Sequence, residues 1–242
     1  MLEAGLWGLV GGSSLVIGAA LGLAVHFSRR AIALVMAFGA GVLISALAFD
    51  LSLEAFRLGG SDAFTGGLFA GALAFYGADR LLDARGGRKR KSSGGEQAGN
   101  AATGLVLGAV LDGIPESVAI GVTLLEGNGV GLAVVVAVFL SNLPESLSAA
   151  TGLRRAGHSN GAILALWGAV ALVSALAAAV GFATLDGASP NLIAFVQAFA
   201  AGAVLTMLAD TMMPEAFEHG GRVTGLVTTM GFALAFFIST LE

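Results

Sequence analysis

Apolar residues fall in eight blocks along the chain, at roughly 5–27, 31–56, 62–82, 101–125, 129–153, 159–184, 190–217 and 222–241. Each is close to the ~20 residues a helix needs to cross the hydrocarbon core of a bilayer. Most separators are short and built from turn residues, such as Gly59-Gly60-Ser61-Asp62, Gly127-Asn128-Gly129 and Asp186-Gly187-Ala188-Ser189-Pro190. One is long: from about Asp83 to Asn100 the chain is rich in Gly, Ser, Lys and Arg and holds too few apolar side chains to fold by burial. The pattern predicts an all-α polytopic membrane protein. Its single transmembrane domain covers 1–242 with eight transmembrane helices, and 83–100 is a basic flexible loop within it.

Composition sharpens this. Hydrophobic residues make up 56% of the chain and charged residues 12%, with a mean hydropathy of +0.88. Soluble domains carry about 25% charged residues, so much of this apolar surface must face lipid. There is no cysteine, which excludes disulfides and thiolate metal sites. The 37 glycines suit helices that pack closely through small faces. No basic residue precedes the first apolar block, so no cleavable signal peptide is expected.

The net charge of -4 matters less than where the basic residues lie. With eight crossings, 11 of the 12 Lys and Arg residues fall on one side, and only Arg57 falls on the other. Basic loops stay in the cytoplasm. The expectation is a multi-pass protein of the cell (inner or plasma) membrane with both termini outside the cytoplasm.

Two repeats stand out. Residues 37–56 align without gaps to 198–217, with nine of twenty positions identical, among them Glu54-Ala55-Phe56 and Glu215-Ala216-Phe217. The two segments cross in opposite directions, as in transporters built from inverted repeats. The second repeat pairs Leu111-Asp112-Gly113-Ile114-Pro115-Glu116-Ser117 with Leu140-Ser141-Asn142-Leu143-Pro144-Glu145-Ser146, each near the middle of its span.

A charged side chain at the bilayer centre costs roughly 2.5–3.5 kcal/mol on insertion scales, which makes an intramembrane acid a functional candidate. Asp112, Glu116 and Glu145 lie at that depth with no Lys, Arg or His beside them in sequence. Asp112 and Glu116 share a helix face. Pro115 and Pro144 cannot donate to the carbonyls one turn earlier, near Leu111 and Leu140. Together with Asn142 and Ser141 these groups form an oxygen-rich donor set suited to Mn²⁺, Fe²⁺, Mg²⁺ or Zn²⁺. The structural alternative is a pair of proline kinks with protonated acids bonded between helices.

Asp50 and Glu54 toward one end, and Asp210, Glu215 and His219 toward the other, extend a candidate path for the ion. Ordinary helix-end charge is the alternative, especially at Glu54 and Glu215. Met207, Met212 and Met213 read as packing residues, and the Arg88–Lys91 run as a topology anchor touching anionic lipid rather than a nucleic-acid site.

The Pro-Glu motifs in the fourth and fifth of eight spans, the basic loop after the third and the inverted repeat together resemble the ZIP (Zrt/Irt-like) family of metal transporters. The resemblance implies a 3+2+3 helix arrangement and a metal centre on spans four and five. It puts metal ligands at Asp112, Glu116, Ser141, Asn142 and Glu145. It also implies divalent cations moving toward the cytoplasm, no enzymatic chemistry and no cofactor beyond the transported ion. Asp112 and Ser141 stand where the family has histidine, and Gly113 stands where it has asparagine. That pattern points to a harder, less zinc-committed site, in a prokaryotic-type member lacking the usual histidines. The partners expected are a divalent metal ion and membrane lipid, with a homodimer allowed. A proton-coupled or other cation permease, or a non-transporting metal sensor, would use the same acids.

Overall fold

The computed structural model describes residues 1–84, 100–126 and 129–241, and these form helices joined by short turns, without strands. The helices in chain order are α1 (Leu2–Ala24), α2 (Arg29–Ala46), α3 (Leu53–Ala84), α4 (Asn100–Thr123), α5 (Leu132–Arg155), α6 (Asn160–Leu185), α7 (Pro190–Met207), α8 (Met213–Gly220) and α9 (Val223–Ser239). Short π-helical stretches join α2 to α3 (Leu47–Ser52) and α7 to α8 (Leu208–Met212).

Five helical runs among the described residues are long and apolar enough to cross a membrane. One of them, Arg29–Ala84, holds two of the expected spans, and α9 is a shorter apolar helix. The two spans inside that run are separated at Gly60, where φ is 69° and ψ is -169°. Only glycine visits that region without strain, so the turn expected at 59–62 falls at Gly60, where the backbone leaves helical geometry and α3 divides into two helical segments. Most of the loop expected at 83–100 lies outside the described residues, and α3 runs on as far as Ala84.

Large apolar side chains on α6 and α9, such as Leu172, Leu176, Leu226, Met230 and Phe237, are exposed. An apolar exterior around a core that holds buried Asp112, Glu116 and Glu145 is the arrangement a lipid solvent favours. The molecule is an all-helical polytopic membrane protein.

The helices pack as two groups. α1 lies against α5 and α6, and α6 against α4; α3 lies against α7, and α2 against α9. The groups meet through α2 with α5 and α4 with α7. Each pairing has its counterpart when the first three spans are exchanged for the last three, which is the signature of an inverted repeat.

The repeat is longer in the structure than in the 37–56 alignment. A constant offset of 161 residues carries the helix cap Ser28 onto the cap Ser189, whose side chains accept from Ala31 N and Leu192 N. The same offset carries Leu47 at the start of one π turn onto Leu208 at the start of the other. It carries Gly60 onto Gly221, which has φ 67° and ψ -151°. It also carries Gly41, set against the Thr228 carbonyl of α9, onto Gly202, set against the Leu68 carbonyl of α3.

Candidate metal path

The two Pro-Glu motifs meet where α4 and α5 cross. Asp112 and Glu116 are each 2% exposed, Asn142 is 4% and Glu145 is 7%. The Ser141 hydroxyl lies 3.2 Å from Glu116 Oε1 and 3.0 Å from the Val138 carbonyl, so one O–H serves two acceptors. This contact joins the fourth span to the fifth through the residues singled out in sequence.

Both helices run unbroken through their prolines. The local distortion sits instead in the π turns of the second and seventh spans. Pro144 cannot donate to the Leu140 carbonyl, and Gly39 of α2 packs directly on that carbonyl. A side chain at position 39 would fill the space between α2 and the acid-bearing stretch of α5.

Glu116 lines a cavity of about 10 Å³, room for roughly one water-sized sphere. The other walls are Leu43, Ala46, Leu47, Leu51, Ala119, Val134, Ala137, Val138 and Val204. Toward the end that carries the chain termini, apolar side chains therefore close the cavity. Toward the opposite end the lining is polar. Ser141, Glu145 and Ser148 are spaced i, i+4 and i+7 on α5, which places them on one stripe, and all three are buried. Ser148 then reaches a second small pocket of about 10 Å³, shared with Arg29, Ile32, Ala33 and Met36 of α2 and Glu215 and His219 of α8.

The acids expected along the path are distributed unevenly. Glu215 and His219 come together in this second pocket. Asp50 Oδ1 accepts from Ser239 Oγ of α9 at 2.6 Å, beside Phe49, whose ring packs on Phe232 and Phe236. Glu54 pairs with Arg57 at 3.5 Å on the helix surface. Asp210 is exposed in its π turn. Among the described residues no three His, Cys, Asp or Glu side chains converge as a ready ligand set.

Sequence reasoning missed Ser148, Met36 and Arg29. Ser148 carries a readable signal, because it continues the α5 stripe one turn past Glu145. Met36 and Arg29 carry none, because their place depends on how α2 packs against α5 and α8. Ser146 of the second motif turns out to be a packing residue: its hydroxyl bonds the Asn142 carbonyl at 3.0 Å, and Gly18 of α1 closes on it.

The family described as ZIP zinc transporter matches residues 82–239 of this chain. The chain belongs to that family. A relative from Arabidopsis thaliana, named "Putative zinc transporter At3g08650", is 29% identical over 184 residues. That similarity covers 74% of this chain and 29% of the plant protein, so the chain spans under a third of that relative's length. ZIP proteins are transporters that need no cofactor beyond the metal they carry. The family match supports the resemblance seen in the Pro-Glu motifs.

Proposed function

We propose that this protein carries a divalent cation of the Mn²⁺, Fe²⁺ or Zn²⁺ type across the cell membrane toward the cytoplasm, without catalysing a reaction. A site on α4 and α5 made of Asp112, Glu116, Ser141, Asn142 and Glu145 holds the ion in transit. The observation that carries the reading is the buried polar stripe of α5, which runs from the Glu116 cavity to the pocket at Glu215 and His219.

The chemistry follows from the donors. Glu116 and Glu145 supply charge that offsets the ion's lost hydration, and Ser141 and Asn142 supply neutral oxygens. Such a set favours hard or borderline cations, and it selects among them through geometry and ligand number rather than intrinsic affinity. With the basic loops in the cytoplasm, Glu215 and His219 lie at the cytoplasmic end, which is the exit side for inward movement, and the apolar layer at Leu47 and Leu51 closes the outer side in this conformation. Asp50 and Glu54 lie toward the outer side and Asp210 toward the inner side, as acids that attract and pass on the cation.

The test is uptake by the purified protein in liposomes, run over several metals beside equilibrium binding. Metal-dependent flux is expected. Glu116→Gln and Glu145→Gln should each reduce it at least about tenfold while the protein still inserts and folds, since losing a charged ligand costs more than one factor of ten. Binding without flux in the wild type would make the protein a sensor, and wild-type flux in both variants would remove the α4–α5 site.

A further inference from the structure

The pocket at the basic end combines attraction and repulsion. Glu215 and His219 are four residues apart and share a face of α8. With Ser148 they offer a carboxylate, an imidazole and a hydroxyl, a combination that suits a divalent cation. Arg29, the first residue of α2, lines the same small space. A guanidinium stays charged at any physiological pH, so the pocket always contains a fixed positive charge.

Nothing in the helix itself calls for that charge. The N-terminus of a helix is its positive end and favours acids, yet α2 begins Arg29-Arg30 with no acid in its first turn. The inverted repeat supplies an internal control. At an offset of 161 residues, Ser28-Arg29 becomes Ser189-Pro190, and Pro190 starts its helix after the same serine cap. His219 corresponds to Leu58, while Glu215 corresponds to Glu54. The fold therefore builds the same helix start twice and places an arginine at only one of them, the one that opens on the pocket. Anchoring the chain in the membrane does not single out Arg29, because Arg30 follows immediately.

We propose that Arg29 keeps the Glu215–His219 pocket a point of passage: its charge weakens the hold of that pocket on a divalent cation so that the ion leaves instead of lodging there. This rests on the transport path proposed above. At the other end of the repeat, the positions of Arg29 and His219 hold Pro190 and Leu58, and Glu54 pairs with Arg57 on the helix surface rather than sharing a pocket with an arginine at a helix start. Arg29 is thus a determinant of release, and Glu145 upstream on α5 remains the last strong acid before the exit.

The experiment compares equilibrium binding of Mn²⁺ alone to the full-length protein in detergent at low salt, together with uptake in liposomes. In Arg29→Gln a site that depends on Glu215 should tighten about tenfold, the size expected for removing one charge ~6 Å from a divalent ion even in water. The gain should vanish in Arg29→Gln combined with Glu215→Gln, and Arg29→Lys should return binding to the weak state. Turnover should fall together with KM, as expected when the bound state rather than the passage is stabilised. Arg30→Gln, which removes the same charge outside the pocket, should leave binding unchanged, and Arg29→Met serves as a second neutral variant. Binding by the neutral variants that matches the wild type, a gain that survives loss of Glu215, or Arg29→Lys behaving as Arg29→Gln would each overturn the proposal. If the wild type moves no metal, the transport reading fails, and the binding comparison still decides the role of Arg29.

Discussion

A carboxylate buried among helices has to be matched by something, and at Glu116 part of the match is visible: the Ser141 hydroxyl 3.2 Å away. That hydroxyl is shared with the Val138 carbonyl, so Ser141→Ala should not leave the helix unsatisfied. The expected effect is a modest loss of metal affinity, within about tenfold, because one neutral hydrogen bond contributes only ~0.5–1.5 kcal/mol net. Titrating Mn²⁺ into the purified variant measures it, and a complete loss would make Ser141 a direct ligand of greater weight. Asp112 tests selectivity. Replacing this carboxylate with imidazole adds a borderline donor that binds only when neutral. Asp112→His should raise the preference for Zn²⁺ over Mn²⁺ and make binding steeper in pH near the histidine reference value of about 6.5, with affinity lost as pH falls and the ring charges. Competition binding reads both. An unchanged metal ratio in a folded protein would take Asp112 out of the ligand set. At this scale sequence was informative where chemistry is local: an acid four residues from another, or a proline before a glutamate. It was silent about Ser239 at Asp50, because that contact joins residues 189 positions apart.

Helices in this protein are placed by small residues and by two π turns. An added Cβ at Gly41 would collide with the Thr228 carbonyl, and one at Gly202 with the Leu68 carbonyl. Gly41→Ala and Gly202→Ala should therefore each destabilise the protein by about 1–3 kcal/mol, the usual cost of overpacking, and by similar amounts because the sites are equivalent. Thermal unfolding in detergent checks this, and a large effect at one position with none at the other would contradict the equivalence. The eight apolar blocks were legible because the lipid-crossing length is fixed by the bilayer. The π turns were not, since hydrophobic content is blind to one extra residue in a turn. The prolines drew attention to α4 and α5, yet both helices continue through them. Each proline lacks the N–H that would otherwise bond the carbonyl one turn earlier.

Across the whole molecule, neighbouring packed helices show the relative directions that eight crossings require. α1 is parallel to α5, with Gly18 beside Leu143 and Gly22 beside Leu147, and antiparallel to α6, with Gly8 beside Ala178 and Gly12 beside Ala171. Combined with the 11 basic residues on one side, this predicts that 83–100 faces the cytoplasm. A Ser92→Cys variant in intact cells should resist an impermeant thiol reagent applied from outside and react only after permeabilisation. Labelling in intact cells would reverse the orientation and exchange entrance for exit. The inverted repeat was legible in sequence over 37–56 because identities persist there. Its extension to the caps and kinks was not, since Ser28 with Ser189 and Gly60 with Gly221 are isolated matches until geometry aligns them.

The pairing of helices also bears on how the chain is made. α1 finds its chief partners in α5 and α6, α2 in α9, and α3 in α7. The first three spans enter the membrane before any of these exist, and they meet lipid and the insertion machinery on faces that will later be interior. During synthesis the early half is an unfinished surface of glycines and small side chains awaiting its complement. The face of α2 that packs on α9 stays open until α9 has been made. Two pieces divided between α3 and α4 should find each other when made together, because nearly every strong contact of the first piece is with the second.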